Sequence, residues 1–187
     1  MKKVDIVNFK NAFPRFLSQD VIIVEGLIAK CRTDHQPAGN ISKTPLWIEN
    51  EELNIPFRVY SEQLSDSQIG NLTYEQRRIY WCIYSRHHNG HVREKCLRKL
   101  IEIPSAYSAP FVLQLLGEYV VEIGMIMLQS VQSQRPEVYR DFLKANPEFL
   151  KLLRSRIASY WNEYYRNKYP DIKKYPPYEA LVNLSSA

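Results

Sequence analysis

From Thr73 onward, apolar side chains recur every three to four residues, the spacing that places them on one face of an α-helix. Ile79 and Ile83, with Tyr80 and Tyr84, follow Thr73. Gln76, three residues after the threonine, completes a capping-box pattern in which side chains and backbone of the first turn satisfy one another. Asn89-Gly90 predicts the end of this helix, since both residues tolerate the left-handed backbone of a helix C-terminus. A second helix is predicted from about His91 to Glu102, with Val92, Cys96, Leu97, Leu100 and Ile101 on one face and Pro104 beyond its end. A third is predicted from Ser108, with Pro110 in its first turn, through Phe111, Val112, Leu115, Leu116, Tyr119, Val120, Ile123 and Met127. It is apolar over most of its circumference, which predicts a central, buried helix. A shorter helix is predicted from Pro136 to about Ala145. A long one opens at Asn146-Pro147 and carries Phe149, Leu150, Leu153, Ile157, Tyr160, Trp161 and Tyr164 along one stripe. Lys173 to Pro177 breaks it, and a short tail helix is expected beyond.

Before about residue 70 the chain is punctuated by Pro and Asn, and its apolar runs are short. Val21-Ile22-Ile23-Val24 reads either as a strand or as one face of a short helix. Asp34 to Pro45, rich in Pro, Gly, Asn, Ser and Thr, reads as a loop. Leu46-Trp47-Ile48 and Pro56-Phe57-Arg58-Val59-Tyr60 flank the polar stretch Glu49 to Asn54, a pattern that predicts a small β-hairpin. Ser65 to Asn71 breaks the chain ahead of the helical part.

Composition narrows the class without naming a function. The 187 residues are 45% apolar and 24% charged, as in an ordinary globular domain and unlike a disordered chain. Three cysteines, Cys31, Cys82 and Cys96, with no CxxC spacing suit a reducing compartment. The N-terminal residues are basic but lack the apolar run of a signal peptide. The longest apolar window, Phe111 to Leu128, contains Glu118 and Glu122, which argue against a membrane span. The expectation is a cytoplasmic protein. The net charge of +5 is uneven: residues 73–102 hold 7 Lys/Arg against 3 Asp/Glu, and residues 151–174 hold 7 against 2. Such clusters either steer an acidic partner or nucleic acid, or are solvated helix faces.

The stretch His87 to Leu100 resembles the second-helix signature of a HEAT repeat, with Val92, Arg93, Cys96 and Leu100 at its Val, Arg, small-residue and Leu places. Asn89 or His88 stands where that family usually has Asp, and Cys96 where it has Ala. The match spans one helix pair, and the segment is also similar to a group of small bacterial proteins. The resemblance implies stacked antiparallel helices that present extended binding surfaces. The expected fold is therefore mainly α, a single domain over residues 1–187. An irregular N-terminal part, 1–72, with a small hairpin would cap a HEAT-like helical stack over 73–187.

Candidate chemistry is sparse. His87, His88 and His91 lie close to Cys96, but a zinc site needs about four ligands in tetrahedral array, and Asn89-Gly90 separates the histidines. No metal and no cofactor are expected. Glu118 and Glu122, one turn apart on an apolar helix, match an acid–base pair in spacing, but no Glu-x-x-His accompanies them. They read instead as partners of a structural ion pair with Arg93 or Arg98 on the neighbouring helix. No GxSxG and no glycine-rich phosphate loop is present, so no enzymatic activity is expected.

The strongest surface signal is the aromatic and cationic run Tyr160 to Tyr169, continued by Lys173, Lys174 and Tyr175. Tyr160, Trp161 and Tyr164 continue the apolar stripe and are expected in the core. Arg154, Tyr165, Arg166, Lys168, Tyr169, Lys173 and Lys174 are the expected partner-binding residues. Tyr, Trp and Arg are the residues that dominate protein interfaces, so a protein partner, acidic by charge complementarity, is the first expectation. A bacterial immunity or antitoxin role is one concrete form of it. A nucleic-acid-binding module that stacks bases on the same rings is the alternative.

Overall fold

The computed structural model describes residues 9–29, 45–134 and 136–185. It is mainly helical, with one two-stranded antiparallel sheet. The chain divides into two compact units, Met1–Leu100 and Ile101–Ala187. The shift in composition near residue 70 falls inside the first of these. The predicted loop from Asp34 lies, up to residue 44, outside the described residues, as does Cys31.

In the first unit, two 3-10 turns, Phe9–Ala12 and Arg15–Leu17, lead into α1 (Ser18–Ala29). The Val21–Val24 run is thus helical, because Val21, Val24 and Ile28 recur at helical spacing and are buried together. The hairpin consists of β1 (Leu46–Ile48) and β2 (Glu51–Leu53), in the register Leu46 to Leu53. Its second strand is therefore not the predicted Pro56–Tyr60. A two-residue turn, Glu49-Asn50, closes it with φ of 48° and 67°, the signs a type I′ hairpin turn requires. One alternation, buried Leu46 opposite buried Leu53, decides the pairing. Val59, from the predicted strand, instead makes an isolated parallel bridge to His87.

Ser65 to Asn71 holds a short helix, α2 (Asp66–Gly70), closed by a Ser65/Gln68 capping box. α3 (Tyr74–Tyr84) starts at the predicted Thr73/Gln76 capping box. Gln76 also reaches beyond its own helix. Its Nε2 donates to Asp20 of α1 at 2.8 Å, tying the two packed helices together. α4 (Gly90–Glu102) buries Val92, Cys96, Leu97 and Leu100.

In the second unit the predicted continuous helix from Ser108 to Met127 is two helices. α5 (Ala109–Gln114) runs into a 3-10 turn, Leu115–Gly117, and stops where Glu118 turns extended, with φ −120° and ψ 163°. α6 (Val121–Gln134) begins three residues later. Every residue from Tyr107 to Glu118 is buried, so the expected burial holds for α5. α7 (Glu137–Ala145) and α8 (Pro147–Tyr160) follow as expected, and α9 (Pro176–Ser185) is the tail helix. α9 packs along α6 at very close range: a Cβ on Gly124 would stand 2.6 Å from Pro177 Cδ and 3.0 Å from the Pro177 backbone nitrogen. No helix among the described residues is long and apolar enough to cross a membrane.

Candidate binding surface

Three of the seven cations of residues 73–102 are not available to a partner. Arg78, Arg86 and Arg93 are buried. The turn from α3 to α4 needs Arg93, because it carries main-chain carbonyls into the interior, where each must find a donor. Arg93 Nη1 donates to the His87 and His88 carbonyls, both at 2.8 Å, and Arg86 Nη2 to the Phe57 carbonyl at 3.3 Å. Arg78 lies over the Tyr74 ring at 5.6 Å. Three of these cations are thus internal, while Lys95, Arg98 and Lys99 remain exposed on α4.

The histidines belong to the same scaffold. His87 is buried, its Nδ1 accepting the Asn89 N–H at 3.1 Å and its Nε2 donating to the Ser61 carbonyl at 3.1 Å. Both ring nitrogens are occupied, which fixes the tautomer and leaves no lone pair for a metal. Burial, and then the neighbouring His88, lower its pKa from 6.5 to about 4. His88 stacks on Tyr60, and His91 is exposed. Among the described residues, no group of three or more His, Cys, Asp and Glu is arranged to hold a metal ion.

The proposed ion-pair residues are distributed as follows. Arg93 serves the two carbonyls above, while Arg98 pairs with Glu94, one turn earlier on α4, through Nη2 at 2.8 Å and Nε at 3.1 Å. Glu118 is buried in the extended link and Glu122 is exposed in the first turn of α6. The two carboxylates no longer share one helix face, so their expected geometry as a pair one turn apart is overturned by the break at Glu118.

The C-terminal aromatic run is shaped by a single π-helical turn, Trp161–Tyr165, directly after α8. A π-turn accommodates one extra residue, which shifts the following side chains by about 100° around the axis. This reverses the expected assignment of the neighbouring tyrosines. Tyr164, expected in the core, is 63% exposed. Tyr165, expected on the surface, is half-buried: its hydroxyl donates to the Tyr119 carbonyl at 2.5 Å, and its ring stacks on fully buried Tyr175 at 5.3 Å. Burial raises the pKa of both phenols. Tyr169 also packs on Tyr175, and Trp161 Nε1 donates to the Tyr169 carbonyl at 2.7 Å, closing the turn.

What this leaves outside is a run of three tyrosines. Tyr119 lies 6.3 Å from Tyr160, and Tyr160 lies 6.2 Å from Tyr164. Tyr119 is 52% exposed, and Tyr160 is half-buried. Arg156, one turn before Tyr160, lays its stem against Gly117, where a Cβ would stand 3.4 Å from Arg156 Cβ and Cδ. Lys168 follows Tyr164 by four residues and sits over the Tyr169 ring at 5.5 Å. Arg154, Arg166, Lys173 and Lys174 are exposed in the same unit, Arg166 bonding to Asn162 and both lysines on a 3-10 turn capped by Asp171. The exposed carboxylates nearby are Glu122, facing Tyr165, and Glu163 on the π-turn. Tyr119, Tyr160, Tyr164 and Arg156 were missed from sequence. The four-residue spacing of 156, 160, 164 and 168 was a signal for the last three, and nothing in the sequence pointed to Tyr119.

No family model matches the chain, and no curated protein and no solved structure matches it either.

Proposed function

We propose that this chain is a non-catalytic, cytoplasmic protein-binding module that engages an acidic protein partner through its C-terminal unit. The observation that carries this reading is the Tyr119–Tyr160–Tyr164 run, exposed at Tyr119 and Tyr164 and half-buried at Tyr160, with Arg156 one turn before Tyr160 and Lys168 four residues after Tyr164. Tyrosines supply large contact area with few rotatable bonds, and a cationic surround favours acidic surfaces, the combination that interface hot spots use. The rings are tilted by 56° and 30° to their neighbours, at spacings too short to admit a base between them, which favours protein over base stacking.

The test is a tagged pull-down from the native host at low and raised salt, with and without nuclease, run in parallel with the double variant Tyr164→Ala, Lys168→Glu. A stoichiometric protein that survives nuclease and is lost with the variant supports the module. Recovery of nucleic acid alone, lost with salt, replaces it with the nucleic-acid reading.

A further inference from the structure

Residues 57–62 run along the turn between α3 and α4 without forming a helix or strand of their own. They are tied to it chiefly through their backbone. The Val59 N–H donates to the Arg86 carbonyl at 2.8 Å, and the His88 N–H donates to the Val59 carbonyl at 2.9 Å. Arg86 Nη2 donates to the Phe57 carbonyl, the Tyr84 hydroxyl to the Glu62 carbonyl, and His87 Nε2 to the Ser61 carbonyl. The Tyr60 ring lies on the His88 ring at 5.3 Å, inclined by 12°. Apolar anchoring is slight by comparison: Val59 is the one buried apolar side chain of the six residues. A segment held by few buried apolar contacts opens locally at a lower cost than global unfolding.

We infer that residues 57–62 form an acid-released strap: His87 is its latch, and a proton on that ring frees the strap while α3 and α4 stay folded. This device belongs to the first unit and does not rest on the binding role proposed above. His87 is 5% exposed and is held between the Ser61 carbonyl, which can only accept, and the Asn89 N–H, which can only donate. The neutral ring with its proton on Nε2 satisfies both. A second proton goes to Nδ1, where it meets the Asn89 N–H, donor against donor. It also creates a cation in a buried place. Arg93 faces the ring from α4, His88 from the turn and the Tyr84 ring from α3 at 5.7 Å. The strap faces it with the Ser61 carbonyl, and the Glu62 side chain is exposed. None of these facing groups is a carboxylate.

Opening the strap returns the ring to water. Burial first, and then His88, hold its pKa at about 4 in the closed form, against 6.5 for an open one. As pH falls from 6.5 toward 4 the open form therefore takes the proton first, and above that window the closed form keeps its full advantage. Opening becomes about twentyfold more populated between pH 7 and pH 5. The helices beneath are held by other means: Arg93 Nη1 caps the His87 and His88 carbonyls, and Gln76 ties α3 to Asp20 of α1.

Native-state amide hydrogen exchange on the full chain, corrected for intrinsic rates between pH 7 and pH 5, tests the strap. The Val59 and His88 amides are expected to lose protection about twentyfold over that range. At each pH they should be less protected than the amides of Ile83 and Leu97, inside α3 and α4. Dilute urea should accelerate the helix amides alone, because a small opening exposes little surface. His87→Asn should abolish the pH dependence of the strap amides. Tyr84→Phe keeps the histidine and removes one strap bond, so it should lower protection about fivefold at each pH with the slope unchanged. Equal protection or equal urea response of strap and helix amides overturns the inference, because the segment then opens only when the unit unfolds. So does pH-independent protection of Val59 and His88, a slope retained in His87→Asn, or a Tyr84→Phe variant that exchanges like the parent.

Discussion

Gly124 and Gly26 both lie inside helices, and the structure predicts opposite signs for the same substitution at the two positions. At Gly124 a new Cβ on α6 would stand 2.6 Å from Pro177 Cδ, nearer still to Cγ, and 3.0 Å from the Pro177 nitrogen. Contacts below 3.0 Å are not tolerated, and a proline ring in the first turn of α9 has no rotamer by which to withdraw. The backbone of α9 must move, and overpacking of this kind costs about 1–3 kcal/mol. Alanine recovers up to about 1 kcal/mol of helix propensity. The net expectation for Gly124→Ala is a loss of about 1–2 kcal/mol, since the clash involves backbone as well as ring. At Gly26 on α1 nothing lies within 4 Å of the new methyl, so only the propensity term acts, and Gly26→Ala is expected to gain about 0.5–1 kcal/mol. Urea denaturation followed by far-UV circular dichroism measures both. Because α9 follows directly on Tyr175, Gly124→Ala should also disturb the Tyr165–Tyr175 stack. A Gly124→Ala variant as stable as the parent, or more so, would refute the close α6–α9 crossing.

Stability is expected to decline as pH falls from 6.5 toward 4. The folded pKa of His87 is lowered to about 4 while its unfolded value is near 6.5, so over that window the unfolded chain takes the proton first. The loss is on the order of 2 kcal/mol, read from urea midpoints at several pH values. His87→Asn should flatten the profile, and an unchanged slope in that variant would contradict the assignment. Arg93→Met removes the donor shared by the His87 and His88 carbonyls inside the fold and is expected to cost about 3 kcal/mol in the same denaturation assay. Tyr165→Phe loses only the bond to the Tyr119 carbonyl, with an expected cost of about 1 kcal/mol.

Local signals were readable where they are local in origin. Thr73 and Gln76 announce the start of α3 because the capping box closes within four residues. Asn89-Gly90 was misjudged as the left-handed end of that helix: α3 stops at Tyr84, neither residue has a positive φ, and Gly90 opens α4 while the Asn89 side chain accepts the His91 N–H. The hairpin was misplaced because Glu51-Glu52 looks like loop sequence. Its strand character comes from Leu53 reaching the buried Leu46 across the turn, a contact that no window of the sequence contains. Three of the cations of residues 73–102 looked like surface because charge does not reveal burial: Arg93 is inside because the α3–α4 turn brings the His87 and His88 carbonyls in with it, and Arg86 because it meets the Phe57 carbonyl of an earlier segment. The longest-range error is the smallest in sequence. The stripe Phe149, Leu153, Ile157 extrapolates by 3.6-residue steps to Tyr164, and one inserted residue in the π-turn moves the inward position to Tyr165. Nothing in Trp161 to Tyr165 demands that insertion, since the sequence is compatible with an uninterrupted α-helix. What favours it lies elsewhere in the chain: a carbonyl at Tyr119, freed by the break after Gly117, and a fully buried ring at Tyr175 that offers a stacking face. The exposed tyrosine run is therefore a product of three separated segments. Removing any one of them should let α8 continue regularly, return Tyr164 toward the core and dismantle the surface.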